Sequence, residues 1–427
     1  MTMAKATRAP AAMFDACCTR QAGMARPGTV GFWSAVGVLG VAAVVGTVPI
    51  PLYAVYQQAF GFSMLGLAVI FAGFPIGLAA ALVCLGCTSD RMGRRVVLLA
   101  ALVLAVFSAI IFLSASSTWW LLAARFVSGV AVGVITPAAA AAIAELEPHR
   151  DLHRASMVTA VVTVGALGAG PLVAGLLAQY GGSPRTLPWQ LYLGFLAVAA
   201  LMMLAVPETV GHRTSGVAGI RPRLIHLPPH VRKPFTEAIT TAVVGFGTLG
   251  FFSSLVPSLL KASLHRPNHA LGGAVIFVLY AAAVAGQFAG KRLGRSRSIP
   301  SGLAITAVGL AVVVAAFATT TLWLLVVGAV VCGLGVGLAV MGGLALVNEV
   351  CPPGHRAEIL SAFFVVTYIS AAIPVVLSAV MADHGGSVAA ASMVAGLIGL
   401  LIVITLVIRL QRRGPERLPA PGPPPGT

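Results

Sequence analysis

Charge is what this chain of 427 residues has least of: Asp, Glu, Lys and Arg make up 9% of it, and eleven residues are acidic. A soluble domain carries roughly 25% charged residues to face water. A chain that is 58% hydrophobic therefore has too little polar surface to be one. Cysteine is scarce as well. Cys17, Cys18, Cys84, Cys87, Cys332 and Cys351 form neither a paired framework nor a zinc spacing with histidines, so no disulfide scaffold, metal or other cofactor is implied. No Ser/His/Asp, metal-ligand or phosphate-cradling constellation is present, and nothing points to an enzyme. The formal charge of +16 would suit a nucleic-acid partner. The basic residues, however, sit in short loops between apolar runs and not on one face, so nucleic acid is not expected.

What the chain does have is apolar runs of 18 or more residues along its whole length, each enough to cross a hydrocarbon core of roughly 30 Å. Helices are expected, because lipid offers the backbone no hydrogen bonds and the short alternating segments of a barrel are absent. Twelve spans are predicted, near 29–53, 64–86, 96–115, 119–144, 155–179, 188–206, 236–260, 270–290, 299–319, 321–347, 357–381 and 387–409. The longest polar stretch falls after the sixth. The expected organisation is a cytoplasmic tail (1–28), a six-helix bundle (29–206), a cytoplasmic central loop (207–235), a second six-helix bundle (236–409) and a Pro/Gly-rich cytoplasmic tail (410–427). The first tail is mildly basic and lacks an apolar core, unlike a cleaved signal. With the N-terminus inside, 23 of the 27 Lys and Arg residues fall on the inner side and three on the outer. That asymmetry places both termini in the cytoplasm of an inner-membrane protein.

The two halves echo each other. Glu145 in "AELEPHRDLHRAS" aligns with Glu349 in "NEVCPPGHRAEILSA", 204 positions on, and "QYGGS" at 179–183 recurs as "DHGGS" at 383–387. "DRMGR" at 90–94 has a weaker relative in "KRLGR" at 291–295. Three echoes in one order at nearly one offset indicate a duplicated unit. Parallel halves with a binding site between them are a common transporter design.

Within this frame, "LGCTSDRMGRRVVLL" at 85–99 packs four charges into Asp90 to Arg95. Together with Gly86 and Thr88 it resembles the major facilitator superfamily signature G-x-L-x-D-R-x-G-R-R/K, with Thr88 in place of leucine. Arg125, Gly129 and Gly133 in "ARFVSGVAVG" resemble the family's fourth-span arginine with spaced glycines. "GAGPLVAG", with Gly170, Pro171 and Gly175, resembles the fifth-span motif of its drug:proton antiporters, and "PET" at 207–209 is also common there. The resemblance implies twelve helices in two six-helix pseudo-repeats and alternating access.

On that resemblance Gly86, Asp90, Arg91, Gly93, Arg94 and Arg95 form an inner gate, with Asp90 latching onto the start of the eleventh helix near Ala357 to Leu360. Glu358 nearby would oppose it. Arg125 lies about six residues into its span. A guanidinium there is costly unless it faces a wet cavity or a carboxylate, so it is expected to face the cavity and to touch substrate or respond to a proton-carrying group. Glu145 is the paired coupling candidate. No acid or histidine lies mid-span, so proton coupling rests on the resemblance. Gly129 with Gly133, and Gly333 with Gly337, read as packing faces, while Pro49, Pro51, Pro137, Pro171 and Pro374 are expected to interrupt helical hydrogen bonding. Tyr53, Phe251, Phe252, Tyr280 and Gln287 are candidate cavity residues. An aromatic pocket with few charges suits a small amphipathic solute. Proton-coupled efflux of such a solute by a monomer in the bilayer is the expected function. Import of a metabolite, and a non-transporting sensor or scaffold, remain as alternatives.

Overall fold

The structure is a computed structural model that describes residues 29–85, 92–204, 206–208, 229–264, 268–350 and 356–412. The regular elements among the described residues are α-helices, and twelve of their segments are long and apolar enough to cross a membrane. In the first half these are α1 (Thr29–Phe60), α2 (Met64–Leu85), α3 (Arg94–Leu113), α4 (Thr118–Leu146), α5 (Leu152–Tyr180) and α6 (Leu187–Leu204). In the second they are α7 (Pro229–Leu264), α8 (His269–Leu293), α9 (Arg295–Thr319) and α10 (Leu322–Val350), followed by α11 (Ala362–Met381) and α12 (Val388–Leu410). Most are apolar on every side, as a helix must be when lipid covers whatever its neighbours do not. Trp119, Val103, Leu201 and Leu400 accordingly face outward.

Several spans differ from the sequence expectation, and α7 begins at Pro229, inside the stretch expected as the central loop. α1 runs past residue 53 to Phe60, where Gly61 closes it at φ 66° and gives its N–H to the Gln57 carbonyl. It is interrupted at residues 45–48, and Pro49 opens the second segment, a position where its missing N–H costs nothing. Pro137, Pro171 and Pro374, by contrast, lie inside helices assigned without a break. The stretch Arg356–Arg412 is helical throughout, yet it must reverse between α11 and α12. Ala371 sits against Gly250 well along α7, while Arg409 meets Glu237 near its start. A straight helix, at roughly 1.5 Å per residue, would carry Arg409 far from that point.

Close packing within each half depends on glycine. A Cβ on Gly77 would fall on the Phe126 carbonyl and one on Gly129 on the Phe74 carbonyl, so α2 and α4 meet backbone to backbone. α8 and α10 repeat the arrangement: a Cβ on Gly333 would meet the Leu279 carbonyl, and one on Gly337 the Ala283 carbonyl. Gly129 and Gly333 are 204 positions apart, as are Gly133 and Gly337, the same offset that relates Glu145 to Glu349. Between the halves, α5 packs along α8 and α2 packs on α11, with the second segment of α1 reaching α7 and α8.

The helix ends differ in charge. Arg94, Arg154, Arg232, Arg297 and Arg409 gather at one end of the bundle, here termed the basic end; the other is the charge-poor end.

The seams predict a contrast in stability. Gly129→Leu and Gly333→Leu should each cost about 1–3 kcal/mol by overpacking. Gly165→Leu should be near neutral, because nothing lies within 4 Å of a Cβ there. Thermal unfolding of the three purified variants in detergent checks the difference.

Candidate functional site

The basic end carries a network of paired charges. Gly93 precedes α3 at φ 102°, and a side chain there would collide with the Glu208 carboxylate. Glu208 accepts a hydrogen bond of 2.9 Å from the Arg94 backbone N–H, so an acid from beyond α6 caps the positive start of α3. The Arg94 guanidinium pairs with Glu145 of α4 at 3.1 Å. Glu147, fully buried, accepts from the Asp151 N–H at 2.7 Å and from Arg154 at 3.1 Å. In the second half Gly294 opens α9 with φ 72°, 201 positions after Gly93. There Arg409 pairs with Glu237 at 2.8 Å and also donates to the Ser296 carbonyl, tying α7, α9 and α12 together. Of the gate residues named from the sequence, Gly93, Arg94 and Arg95 are in place here, with Arg95 half-buried. Gly86, Asp90 and Arg91 lie outside the described residues, as do the side chains of Ala357, Glu358 and Leu360.

Deeper in the bilayer region, Arg125 of α4 is 1% exposed. Its Nη1 donates to the Gly46 carbonyl at 3.0 Å, within the interruption of α1. The guanidinium also lies over the ring of Phe74 at 4.6 Å and that of Phe71 at 5.5 Å. In place of the water or carboxylate expected from the sequence, its surroundings are thus a backbone carbonyl and two aromatic faces. Cation–π contacts of this desolvated kind contribute about 2 kcal/mol. The Tyr53 hydroxyl sits beside the guanidinium, and among the described residues the Arg125 Nε is buried without a hydrogen-bond partner.

Phe74 connects this centre to the other half. Its ring meets Tyr368 of α11 edge-on at 6.5 Å, and Tyr368 meets Phe246 of α7 at 5.2 Å. Tyr280 of α8 is an electrostatic neighbour of Tyr368 and packs against Gly168 of α5. A continuous line of contacts therefore runs from the α1 interruption through Arg125 and Phe74 to Tyr368. Of the cavity residues named from sequence, the structure places Tyr53 with Arg125, and Tyr280 near Tyr368. Phe251 and Phe252 are buried and in mutual edge contact at 5.8 Å. The Gln287 Oε1 is buried without a hydrogen-bond partner. Sequence reasoning missed Phe74 as the bridge between halves, since one aromatic among many apolar residues carries no sign of what it faces.

Gly170, Pro171 and Gly175 lie in the seam between α1 and α8. A Cβ on Gly170 would press on the Val44 carbonyl and the Thr47 hydroxyl of α1, and one on Gly175 on the His269 carbonyl of α8. The Pro171 carbonyl faces Gly273 so closely that a side chain there has no room. Two apolar crevices, of about 190 Å³ between α1, α5 and α6 and about 370 Å³ between α9 and α12, lie away from the aromatic line, each within one half. Among the described residues no group of three or more His, Cys, Asp and Glu is placed to hold a metal. The line between the halves presents aromatic rings with a few hydroxyl and amide groups.

Comparison with known proteins agrees with this architecture. The family model described as Major Facilitator Superfamily matches residues 34–299 and again 238–426. The quinolone resistance protein NorA of Staphylococcus aureus is 23% identical over 205 residues, 47% of this chain and 51% of the relative. An uncharacterized MFS-type transporter of Methanocaldococcus jannaschii is 26% identical over 148 residues, 34% of this chain and 38% of the relative. The chain thus spans about half the length, or less, of these curated relatives. A crystal structure of the nucleoside transporter NupG superposes with a TM-score of 0.69 at 12% identity, covering 89% of this chain and all of that one. The chain belongs to the major facilitator superfamily, whose members are not enzymes.

Replacing Arg125 tests its surroundings. Arg125→Ala leaves the Gly46 carbonyl without its donor and opens a void, a loss of about 2–4 kcal/mol. Arg125→Lys should recover less than half of it, because an ammonium lacks the planar face that stacks on Phe74. Denaturation midpoints of the purified variants in detergent check both expectations.

Proposed function

We propose that this member of the superfamily is a secondary transporter that exports a small amphipathic compound in exchange for protons. In this reading, residues 29–206 and 236–409 are two halves that rock about the Arg125–Phe74–Tyr368 line, working as a monomer. The basic end faces the cytoplasm of the inner membrane, as the loop charges favour, with 1–28, 207–235 and 410–427 on that side.

The observation that supports the reading is the composition of the midplane between the halves. Phe74, Phe246, Tyr280 and Tyr368 supply aromatic surface there, and Arg125 supplies a cation already engaged by a carbonyl. Such a site suits solutes recognised by stacking and a few hydrogen bonds, and disfavours polyanions. Export in exchange for protons is favoured by Gly170, Pro171 and Gly175, which sit in the seam that must stay tight against leakage when the basic end is open. The partial likeness to a quinolone resistance protein points the same way. Asp90 would close the basic end against the start of the eleventh helix. Glu145, paired with Arg94 at 3.1 Å, would be the coupling carboxylate: neutralising it releases Arg94 and loosens that closure. Substrate and proton drive the cycle only to the extent that they bind the two forms unequally.

Inverted membrane vesicles containing the chain provide the test. With a panel of amphipathic dyes and a quinolone, uptake should need an imposed proton gradient and collapse with a protonophore. Asp90→Asn and Glu145→Gln should each lower gradient-driven uptake roughly tenfold or more, about 1.4 kcal/mol at the transition state, with normal membrane insertion. Uptake indifferent to the protonophore contradicts proton coupling.

A further inference from the structure

At the charge-poor end, one residue of the second half is held by two helices of the first. His269 is the first residue of α8, where backbone amides have no carbonyl one turn earlier to bond. The Leu271 N–H is met within its own half by the Asn268 side chain at 2.9 Å. The His269 N–H is met from the other half, by the Gln179 Oε1 near the end of α5, also at 2.9 Å. The His269 imidazole faces the Pro51 carbonyl of α1. Its own carbonyl lies on Gly175, so closely that a side chain there has no room. The start of α8 is therefore completed by the opposite half.

We propose that Gln179 and His269 form the latch that holds the charge-poor end shut. Rocking the halves apart at that end breaks the Gln179 bond and exposes a helix-start amide, and closing restores it. Gly175 is the surface against which the latch seats: with no Cβ, α5 approaches the His269 carbonyl near enough for Gln179 to reach the amide. The second segment of α1, which follows the interruption at residues 45–48, brings Pro51 to the same point. One amide hydrogen bond between neutral groups is a modest restraint, which suits a contact made and broken in every cycle. Its loss should shift the balance of closed and open forms roughly three- to tenfold.

The latch rests on the alternating-access reading above but not on the identity of any substrate. Spin labels at Trp119 and Trp323, exposed at the charge-poor starts of α4 and α10, give the distance between halves by pulsed electron resonance in lipid nanodiscs. The full chain is used with its native cysteines replaced. In Gln179→Leu the long-distance population should rise roughly three- to tenfold, while Gln179→Glu, which keeps an acceptor for the amide, should stay within about twofold of the parent. Should Gln179→Leu fold poorly by size-exclusion chromatography, Gly175→Ala serves instead, since its methyl group lifts α5 off His269 and should raise the same population. Two populations in the parent that neither variant moves would overturn the latch while leaving alternating access standing. A single unvarying distance in all of them would remove both.

Discussion

The hydrogen bond from Arg125 to the Gly46 carbonyl is the contact on which the rest of the interior depends. Lipid supplies no partner for either group, so the cation and the carbonyl of an interrupted helix each remove the other's cost. The bond at 3.0 Å falls within the interruption of α1 at residues 45–48, after which the helix resumes at Pro49. The resumed segment carries Tyr53 to the guanidinium and Pro51 to His269. Gly170 fits the same break from the α5 side, and Phe74 closes it from α2 while touching Tyr368 across the interface. One buried cation thus shapes α1 and reaches, through a single ring, into the second half.

Around that centre the molecule separates two kinds of seam. Within each half, glycines bring backbones into contact, α2 on α4 and α8 on α10, in registers related by 204 positions. Such seams leave no room for a side chain, which is what the proposed movement of each half as a body requires. Between the halves α5 and α8 also approach closely, with Gly175 on the His269 carbonyl and Gly273 on the Pro171 carbonyl, but the other contacts are aromatic edges and individual hydrogen bonds, as at Phe74–Tyr368 and Gln179–His269. Those can be broken without leaving many polar groups stranded. The ion pairs lie toward the basic end, Arg94 with Glu145 in one half and Arg409 with Glu237 in the other. They fasten helices within a half, whereas Arg125, deeper in, is engaged by a carbonyl and two rings.

Most of the architecture was legible in the sequence. Scarcity of charge required a membrane, the long apolar runs gave twelve crossings, and the echoes of Glu145 in Glu349 and of "QYGGS" in "DHGGS" gave the repeat. Local signals were less reliable where neighbours decide. Pro49 marks a real interruption, while Pro171 and Pro374 sit in helices that continue past them, because tertiary packing can accommodate a missing N–H that local chemistry disfavours. Arg125 announced itself as costly, but not what relieves the cost. Its partner is a backbone atom 79 positions away, and carbonyls carry no sequence signature. Glu208 reaches the start of α3 across 114 positions and could be read in advance only as part of a short motif. His269 gave no signal at all, since its importance arises from which half supplies the acceptor for its amide.

The central claim is that two internally rigid halves move against each other, and tethering them tests it most directly. Gly168 and Tyr280 adjoin across the interface between halves, whereas Gly245 and Val340 adjoin within the second half. A cysteine pair at each location, in a chain otherwise free of cysteine, can be oxidised to a disulfide that spans the contact. Transport into vesicles is then measured for each pair before oxidation, after it, and again after reduction. Oxidising the pair at Gly168 and Tyr280 should arrest transport and reduction should restore it, while the pair at Gly245 and Val340 should work equally well in both states. Continued transport through a completed tether between Gly168 and Tyr280 would contradict the account.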